Sequence, residues 1–167
     1  PPRPLPDRRP RSGSARAPSN IAFIKYCGKK YEKLRVHLNS SISMNLSELY
    51  TTTTVEFNKS LKSDVITIDG KSESSEIERI SAHLDRIREI SGNHFFAKVV
   101  SKNSFPANSG LSSSASGFAA LTLAGTSALG FKLSEKKLSI LARLASGAAC
   151  RSIPDGFVEW KRGTTHE

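Results

Sequence analysis

The chain has 167 residues, 37% of them hydrophobic, which is enough for one domain with a core and short for two. Its 25 Lys and Arg residues outnumber its 15 Asp and Glu residues, and the formal charge of +10 favours anionic ligands such as phosphorylated compounds. No apolar run approaches about 18 residues, so the sequence predicts no transmembrane helix. The two cysteines lack metal-ligand spacing, and we expect a reducing, cytoplasmic setting.

The first 14 residues are rich in proline and carry four arginines against one aspartate, a net charge of +3. Such a segment cannot bury a core, so we expect residues 1–14 to be a disordered basic tail. The folded domain is then expected to span residues 15–167. The apolar, β-prone residues 20–27 predict a strand that runs into a turn at Gly28.

Two further segments predict strands before the first helix. Residues 40–46 form a short apolar segment, and residues 50–57 are a run of β-branched and aromatic side chains. Residues 64–69 alternate ahead of the Asp69-Gly70 turn, and we expect them to form the hairpin partner of the 50–57 strand.

Apolar residues at helical spacing dominate the rest of the chain. The predicted elements are a helix opened by Ser74 and ended by Gly92, a strand over 95–100, a small-residue helix over 114–129, a helix opened by Ser134, and a strand over 156–160. Strands followed by helices predict an α+β fold in which the helices pack over one face of a mixed sheet.

The loop over residues 106–116 holds one proline, one glycine and five serines between a predicted strand and a predicted helix. Strand, small-residue loop and helix start make an anion site, because backbone N–H groups and the helix dipole point at the ligand. The hydroxyls of Ser112, Ser113 and Ser114 suit phosphate oxygens or a divalent cation. The simpler alternative is a serine that caps an ordinary helix. The Gly-Lys-Ser/Thr of a P-loop is absent, and a lone glycine does not make a dinucleotide fingerprint.

The loop resembles the phosphate loop of the GHMP kinase superfamily. The matching positions of the pattern Pro-x-x-x-Gly-Leu-x-Ser-Ser-Ala are Pro106, Gly110, Leu111, Ser113, Ser114 and Ala115. Three other segments resemble diphosphomevalonate decarboxylases, namely NIAFIKYCGK at 20–29, LNSSIS at 38–43 and ARLASGAACRSIPDGFVEW at 142–160. The resemblance covers residues 15–167 and only the N-terminal half of a family member. It implies the GHMP kinase N-terminal domain, which is similar to the second domain of ribosomal protein S5.

The resemblance also implies an ATP-dependent decarboxylase of isoprenoid biosynthesis. In that family ATP phosphorylates the tertiary 3-hydroxyl of mevalonate 5-diphosphate, and loss of phosphate and carbon dioxide gives isopentenyl diphosphate. The implied cofactors are ATP and Mg²⁺, and the implied partners are these small molecules and a second subunit in a full-length homodimer. Neither nucleic acid nor membrane is an expected partner. Positioning and charge stabilisation do most of the work in phosphoryl transfer.

The same resemblance assigns the substrate site. Lys25 is expected near the reacting hydroxyl, and Tyr26 and Lys29 at the substrate diphosphate. Arg151 would bind the substrate carboxylate through its planar guanidinium, in a pocket completed by Ser146 and Gly147. The alternatives are a solvent-facing Lys25, a solvated charge pair for Lys29 and a helix-end arginine without a partner for Arg151. The implied ATP site consists of Ser101, Asn108, Gly110, Leu111, Ser112, Ser113, Ser114 and Ala115, with Ser114 also a Mg²⁺ ligand.

Three departures from the family pattern leave the phosphorylation state of the substrate open. Cys27 replaces a Trp, Ala148 replaces a common Ser, and Pro154-Asp155 replaces Tyr-Gly. A kinase or decarboxylase acting on mevalonate or its monophosphate is therefore one alternative. The likeness of this half-fold to the second domain of ribosomal protein S5, together with the basic charge, leaves a non-catalytic RNA-binding module as the other.

No general base can be named within these residues. The family's catalytic aspartate belongs to a motif of the C-terminal GHMP domain, which has no counterpart up to Glu167. We therefore expect residues 1–167 on their own to be inactive.

Overall fold

The computed structural model describes residues 11–25, 28–31, 36–72, 74–106 and 112–162. The elements in chain order are β1 (Arg11–Ile24), β2 (Lys29–Tyr31), β3 (Val36–His37), β4 (Ser41–Asn58), β5 (Val65–Ile68), α1 (Ser74–Ser91), β6 (Phe96–Asn103), α2 (Ser113–Ala128), α3 (Glu135–Ala145), a 3₁₀ helix (Gly147–Ser152) and β7 (Phe157–Trp160). The predicted α+β order of strands and helices is therefore observed.

The long strand β4 organises a mixed sheet. It pairs antiparallel with β1 on one side, and with β6 and β7 on the other, where β7 lies beside its first residues. The strand order is β1-β4-β6-β5, and β5 runs parallel to β6. Strands β2 and β3 form a separate two-stranded ribbon.

The expected hairpin between residues 50–57 and 64–69 is wrong. Strand β6 lies between β4 and β5, and β5 is joined to β6 by the helix α1, which is the long crossover that a parallel pair requires. The Asp69-Gly70 turn does form, but it closes a bridge between Ile68 and Lys71 within this connection. Both central residues have positive φ, 49° and 79°, as a tight two-residue turn demands.

The sheet is also more extended than the sequence predicts. The segments expected at 40–46 and 50–57 are parts of the single strand β4, whose register against β1 shifts between Pro18 and Ser19. The expected start of order at Ala15 is wrong by four residues, because β1 begins at Arg11 and pairs with β4 from there. Residues 1–10 lie outside the described part of the chain.

The helices pack on one face of the sheet, and α2 lies at the centre of the core. Its small side chains are buried nearly all round, which is typical of a helix enclosed by other elements. The large side chains buried with it include Val55 and Phe57 of β4 and Leu84 and Ile87 of α1. Within the described ranges no helix is long and apolar enough to cross a membrane.

Candidate nucleotide and substrate sites

A cleft of about 800 Å³ opens where the first turn of α2 meets the sheet. Strands β4, β5 and β6 and the helices α1 and α2 all contribute side chains to it. Of the predicted ATP-site residues, the cleft brings together Ser101, Ser113 and Ser114. Its apolar wall includes Val99 and Phe118. A hydroxyl-rich end beside an apolar wall can hold a ligand that is part anionic and part flat and apolar.

The start of α2 is not an ordinary serine cap. Ser112 at the N-cap position has left-handed backbone angles, φ 54° and ψ 43°, and its side chain makes no capping hydrogen bond to the described residues. The first N–H groups of α2 thus lack the usual side-chain acceptor. This geometry favours the anion site over the simple cap.

The serines that follow differ in what they offer. The Ser114 side chain is exposed and makes no hydrogen bond within the described residues, and Ser113 is half-buried beside it. Ser101 is buried on β6, and its Oγ lies 2.8 Å from Thr53 Oγ1.

One predicted residue points away from the cleft. Ala115 has no exposed surface and belongs to the core, and its N–H donates to the Ser112 carbonyl at 2.8 Å. Its predicted contact with ATP gains no support from this geometry. The predicted residues Asn108, Gly110 and Leu111 lie outside the described residues.

Sequence reasoning missed the charged rim of the cleft, formed by Asp69, Lys71, Glu76 and Arg79. Arg79 is held by Glu76 at 2.8 Å, and its guanidinium carbon lies 5.0 Å from the centre of the Phe118 ring. The helical i, i+3 spacing of Glu76 and Arg79 predicts their pairing. Their position at the cleft follows from the β5–α1–β6 crossover, which the hairpin prediction missed.

Arg151 lies in a second cluster, at the other end of β4. The side chain is only 3% exposed, and Nη1 donates to Ser41 Oγ at 2.7 Å. Nη2 lies 3.5 Å from Asn20 Oδ1, and the guanidinium carbon is 5.9 Å from the centre of the Trp160 ring. Arg151 is therefore a buried, partnered cation, and the alternative of a helix-end arginine without a partner is wrong.

Asn20 joins this cluster to the 3₁₀ helix. No separate role was predicted for Asn20, which is the first residue of the NIAFIKYCGK segment. Its Nδ2 donates to the Ala148 carbonyl at 3.1 Å and to Ser152 Oγ at 2.7 Å. Ser146 and Gly147, predicted to complete the substrate pocket, are both buried at the start of the same helix. The structure thus places Arg151, Ser146 and Gly147 on one short element beside Asn20.

Cys150 lies inside the 3₁₀ helix, where its thiol is buried. Burial raises the pKa of its thiol to about 12, although Arg151 and Arg143 both oppose that shift. The thiol donates to the Gly147 carbonyl at 3.1 Å. Its role is therefore that of a small buried side chain.

The three predicted residues near Gly28 are only partly described. Lys25 directly follows β1, its side chain is exposed, and its carbonyl accepts from Asn39 Nδ2 at 3.1 Å. Tyr26 lies outside the described residues, as does the substituted Cys27. Lys29 begins β2, opposite His37 of β3, and its side chain is not described.

Oxygen donors on the cleft could contribute to the shell of a phosphate-bound Mg²⁺. Among the described residues no group of three His, Cys, Asp or Glu side chains could hold a metal ion. Mg²⁺ in nucleotide sites takes one or two protein oxygens and completes its shell with phosphate and water. The exposed Ser114 hydroxyl and the carboxylate of Glu76, both on the cleft lining, fit that requirement.

The chain is similar in sequence and in fold to several known proteins. The relatives include the diphosphomevalonate decarboxylase of Debaryomyces hansenii, 40% identical over 91% of this chain and 43% of its own length. The solved mevalonate diphosphate decarboxylase of Staphylococcus aureus is 46% identical with a TM-score of 0.89, over 94% of this chain and 48% of its own. A solved complex of MDDEF with MVAPP, AMPPCP and magnesium is 44% identical, with a TM-score of 0.88. The match covers 94% of this chain and 48% of that one.

These matches confirm the predicted class of fold, the α+β N-terminal domain of the GHMP kinase type. The family model for the diphosphomevalonate decarboxylase-like N-terminal domain matches residues 17–167. The chain belongs to this family. It spans a little under half the length of these relatives.

Proposed function

We propose that this chain supplies the ATP site and part of the substrate site of an enzyme that decarboxylates mevalonate 5-diphosphate. ATP transfers its terminal phosphoryl group to the 3-hydroxyl oxygen of the substrate and leaves as ADP. The C–O bond to the new phosphate and the C–C bond to the carboxylate then break. The products are inorganic phosphate, carbon dioxide and isopentenyl diphosphate.

The observation that carries this proposal is the start of α2. Ser113 and Ser114 lie in the cleft at a helix N-terminus whose N-cap side chain makes no capping bond to the described residues. Free N–H groups, hydroxyls and the helix dipole together stabilise the negative charge of a polyphosphate. ATP phosphates therefore fit at this point, with the base toward the apolar wall that Phe118 and Val99 help to form.

Mg²⁺ is part of the proposal because the ATP phosphates need charge neutralisation. When bound, it would neutralise charge between phosphate oxygens. Ser114 would supply a protein oxygen to the ion, and Glu76 is one of two carboxylates on the same cleft, the other being Asp69.

The proposed substrate contacts follow the family pattern. Arg151 binds the substrate carboxylate with Ser146 and Gly147, Lys25 approaches the 3-hydroxyl, and Tyr26 and Lys29 hold the diphosphate. The exposure of Lys25 and the burial of the Arg151 cluster are compatible with these roles. A buried guanidinium that is already partnered is fixed in orientation, which suits recognition of a planar carboxylate.

A substrate panel tests the proposal. The full-length protein is incubated with ATP, Mg²⁺ and mevalonate, mevalonate 5-phosphate or mevalonate 5-diphosphate, and ADP, phosphate and carbon dioxide are measured. We expect ADP, phosphate and carbon dioxide to form in equal amounts, and only when mevalonate 5-diphosphate is the substrate. ADP without carbon dioxide would indicate a kinase, and turnover of the monophosphate would move the substrate to that compound. RNA binding without turnover of any of them would favour the S5-like module.

We also propose that the full-length protein is a cytoplasmic homodimer, as the family resemblance implies. Light scattering of the purified full-length protein tests the assembly. A monomer across the micromolar range would contradict it.

A further inference from the structure

Four polar side chains form a continuous line from the β5 turn to α2. The Asp69 carboxylate accepts from Asn103 N at 2.9 Å and from Asn103 Nδ2 at 2.8 Å. Thr51 Oγ1 donates to Asn103 Oδ1 at 2.7 Å. Ser116 Oγ lies 2.7 Å from Thr51 Oγ1 on its other side. The line therefore connects the β5 turn, β6, β4 and α2.

Donor and acceptor chemistry gives this line one direction. An ionised carboxylate only accepts, so Asn103 turns its amide nitrogen to Asp69 and its amide oxygen to Thr51. The single proton of the Thr51 hydroxyl is then committed to Asn103. Ser116 must be the donor in its bond with Thr51, and each group of the line is held in one orientation.

The far end of the line is the turn of α2 that carries Ser113 and Ser114. Thr51 and Ser116 are 1% and 0% exposed, so water cannot replace the bond between them. The Ser116 Oγ also lies 3.2 Å from the Ser113 carbonyl oxygen, so the proton that it donates to Thr51 is at most shared with that carbonyl. Ser113 and Ser116 belong to the same turn of α2, and a displacement of Ser116 would therefore move Ser113 with it.

We propose that Thr51 and Ser116 are positioning residues that fix the first turn of α2 against the sheet, so that Ser113 and Ser114 meet the phosphates of ATP. This inference rests on the proposed function, and it concerns only the binding of ATP. Loss of the Thr51 hydroxyl leaves Asn103 Oδ1 and Ser116 Oγ without their partner in the core. A misplacement of about 1 Å in such a site can cost on the order of 100-fold in rate, and it would also draw the N–H groups and hydroxyls of this turn away from the phosphates that they are proposed to bind.

The test compares three variants of the full-length protein. Thr51→Val removes the hydroxyl with little change of shape, and Thr51→Ser restores it. Thr122→Val is the matched control, because Thr122 is also fully buried and also links α2 to a neighbouring element, through His83 Nε2 at 2.8 Å, but does not line the cleft. The measurements are the Kd for ATP by calorimetry, and kcat and KM for both substrates.

Thr51→Val is expected to raise the Kd and KM for ATP by roughly tenfold or more, with the KM for mevalonate 5-diphosphate nearly unchanged. Thr51→Ser should return both values close to wild type. Thr122→Val should lower stability as much as Thr51→Val does and leave the Kd for ATP unchanged. If Thr51→Val does not fold, Ser116→Ala is held to the same expectation.

The outcomes separate the two proposals. Thr51→Val that binds ATP as tightly as Thr122→Val overturns the positioning role, whatever the wild-type reaction. Wild-type protein that binds ATP but turns over no mevalonate derivative overturns the proposed function, and the Kd comparison still decides the positioning role. Wild-type protein that binds no nucleotide overturns both.

Discussion

Two buried arginines, Arg143 and Arg151, lie at the same indole. Each guanidinium carbon is 5.9 Å from the centre of the Trp160 ring. The guanidinium of Arg151 donates to Ser41 Oγ and lies near Asn20 Oδ1. For Arg143, burial lowers the pKa of the guanidinium. Only Arg151 lies on the 3₁₀ helix, together with Gly147 and directly after the N-cap residue Ser146. Arg143 therefore serves as a packing control for the substrate-binding role proposed for Arg151.

Replacing Arg151 with lysine keeps the charge and removes the planar fork. We expect Arg151→Lys in the full-length protein to lower kcat/KM for mevalonate 5-diphosphate by about 100-fold, the equivalent of about 2.7 kcal/mol, with the Kd for ATP nearly unchanged. Arg143→Lys is the matched control and should cost far less activity. Equal losses in the two variants would show that Arg151 acts through packing.

His83 is a buried histidine that the core keeps neutral. Thr122 Oγ1 donates to the Phe118 carbonyl at 2.7 Å, so it accepts from His83 Nε2–H at 2.8 Å. His83 Nδ1 is buried and has no hydrogen-bond partner among the described residues. Burial, and secondarily the charge of Arg86, lower the pKa of His83 to about 3.

This depressed pKa predicts acid sensitivity. The unfolded chain binds a proton near the ordinary histidine pKa of 6.5 and the folded chain near 3, so the contribution of His83 is complete above pH 6.5 and is lost as pH falls toward 3. The loss approaches about 1.4 kcal/mol per pH unit in that window. Denaturant unfolding at a series of pH values should give a flatter profile for His83→Gln than for wild type.

The exposed His94 provides the control for this experiment. The same unfolding series is measured for His94→Gln, so that the effect of replacing a buried histidine is compared with that of replacing an exposed one. A His83→Gln profile that overlays wild type would mean that His83 is charged or accessible in the folded protein.

At the scale of elements, β1 and α2 approach so closely that only glycine fits between them. A Cβ at Gly13 would lie 2.5 Å from the Ala124 carbonyl oxygen and 2.6 Å from the Ala128 nitrogen, both backbone atoms of α2. Neither can move without shifting the helix against the sheet.

Gly13→Ala should therefore destabilise the domain by about 1–3 kcal/mol, the usual range for overpacking. The control is Gly117→Ala, where an added Cβ meets no atom within 4 Å and helix propensity favours alanine. Urea unfolding should give opposite signs for the two variants. A neutral Gly13→Ala would mean that β1 does not pack on α2 at this point.

Local signals predicted the elements better than their pairing. The spacing of apolar residues gave α1, and the serine at position 134 gave the start of α3, because both are properties of a few consecutive residues. The partner of β5 depended on where α1 packs, which no local pattern encodes. The start of β1 was missed because Arg11–Ser14 is a polar segment, whereas its order comes from pairing with β4.

In the candidate site, too, the residues of one consecutive segment were predicted and those brought together by tertiary packing were not. Ser113 and Ser114 were predicted from a contiguous motif and lie in the cleft. The line from Asp69 to Ser116 was not predicted, because its members come from four elements and meet only after the crossover has formed.

At the scale of the whole molecule, the outer face of the sheet is apolar at one end. Phe23 and Phe157 are 59% and 72% exposed, and their rings stack with centroids 6.1 Å apart. Ile21 lies on the same face. Contiguous apolar surface of this kind favours association.

The 167-residue chain, prepared as such, should therefore self-associate through this face. Light scattering should show oligomers for the wild-type chain and a shift toward monomer for the double variant Phe23→Ser/Phe157→Ser. Phe131→Ser is the control, since Phe131 is an exposed phenylalanine elsewhere on the surface. Association that survives the double variant, or a monodisperse wild-type chain, would contradict the expectation.

The register shift between β1 and β4 predicts where the chain can accept insertions and deletions. β1 has a second register shift between Ala22 and Ile24, and before it Ala17 and Ala22, five residues apart, face Thr51 and Ser43 of β4, a span of roughly 17 Å at about 3.3 Å per residue. This span separates the Arg151 cluster from the turn of α2 that Thr51 holds. The residues of β4 between Leu46 and Tyr50 leave the ladder and add nothing to it. Codons gained or lost at that bulge would leave the β1–β4 pairing on either side intact, whereas a single codon inserted between Ser19 and Ala22 would change the spacing of both sites and reverse the faces of the strand residues that follow it.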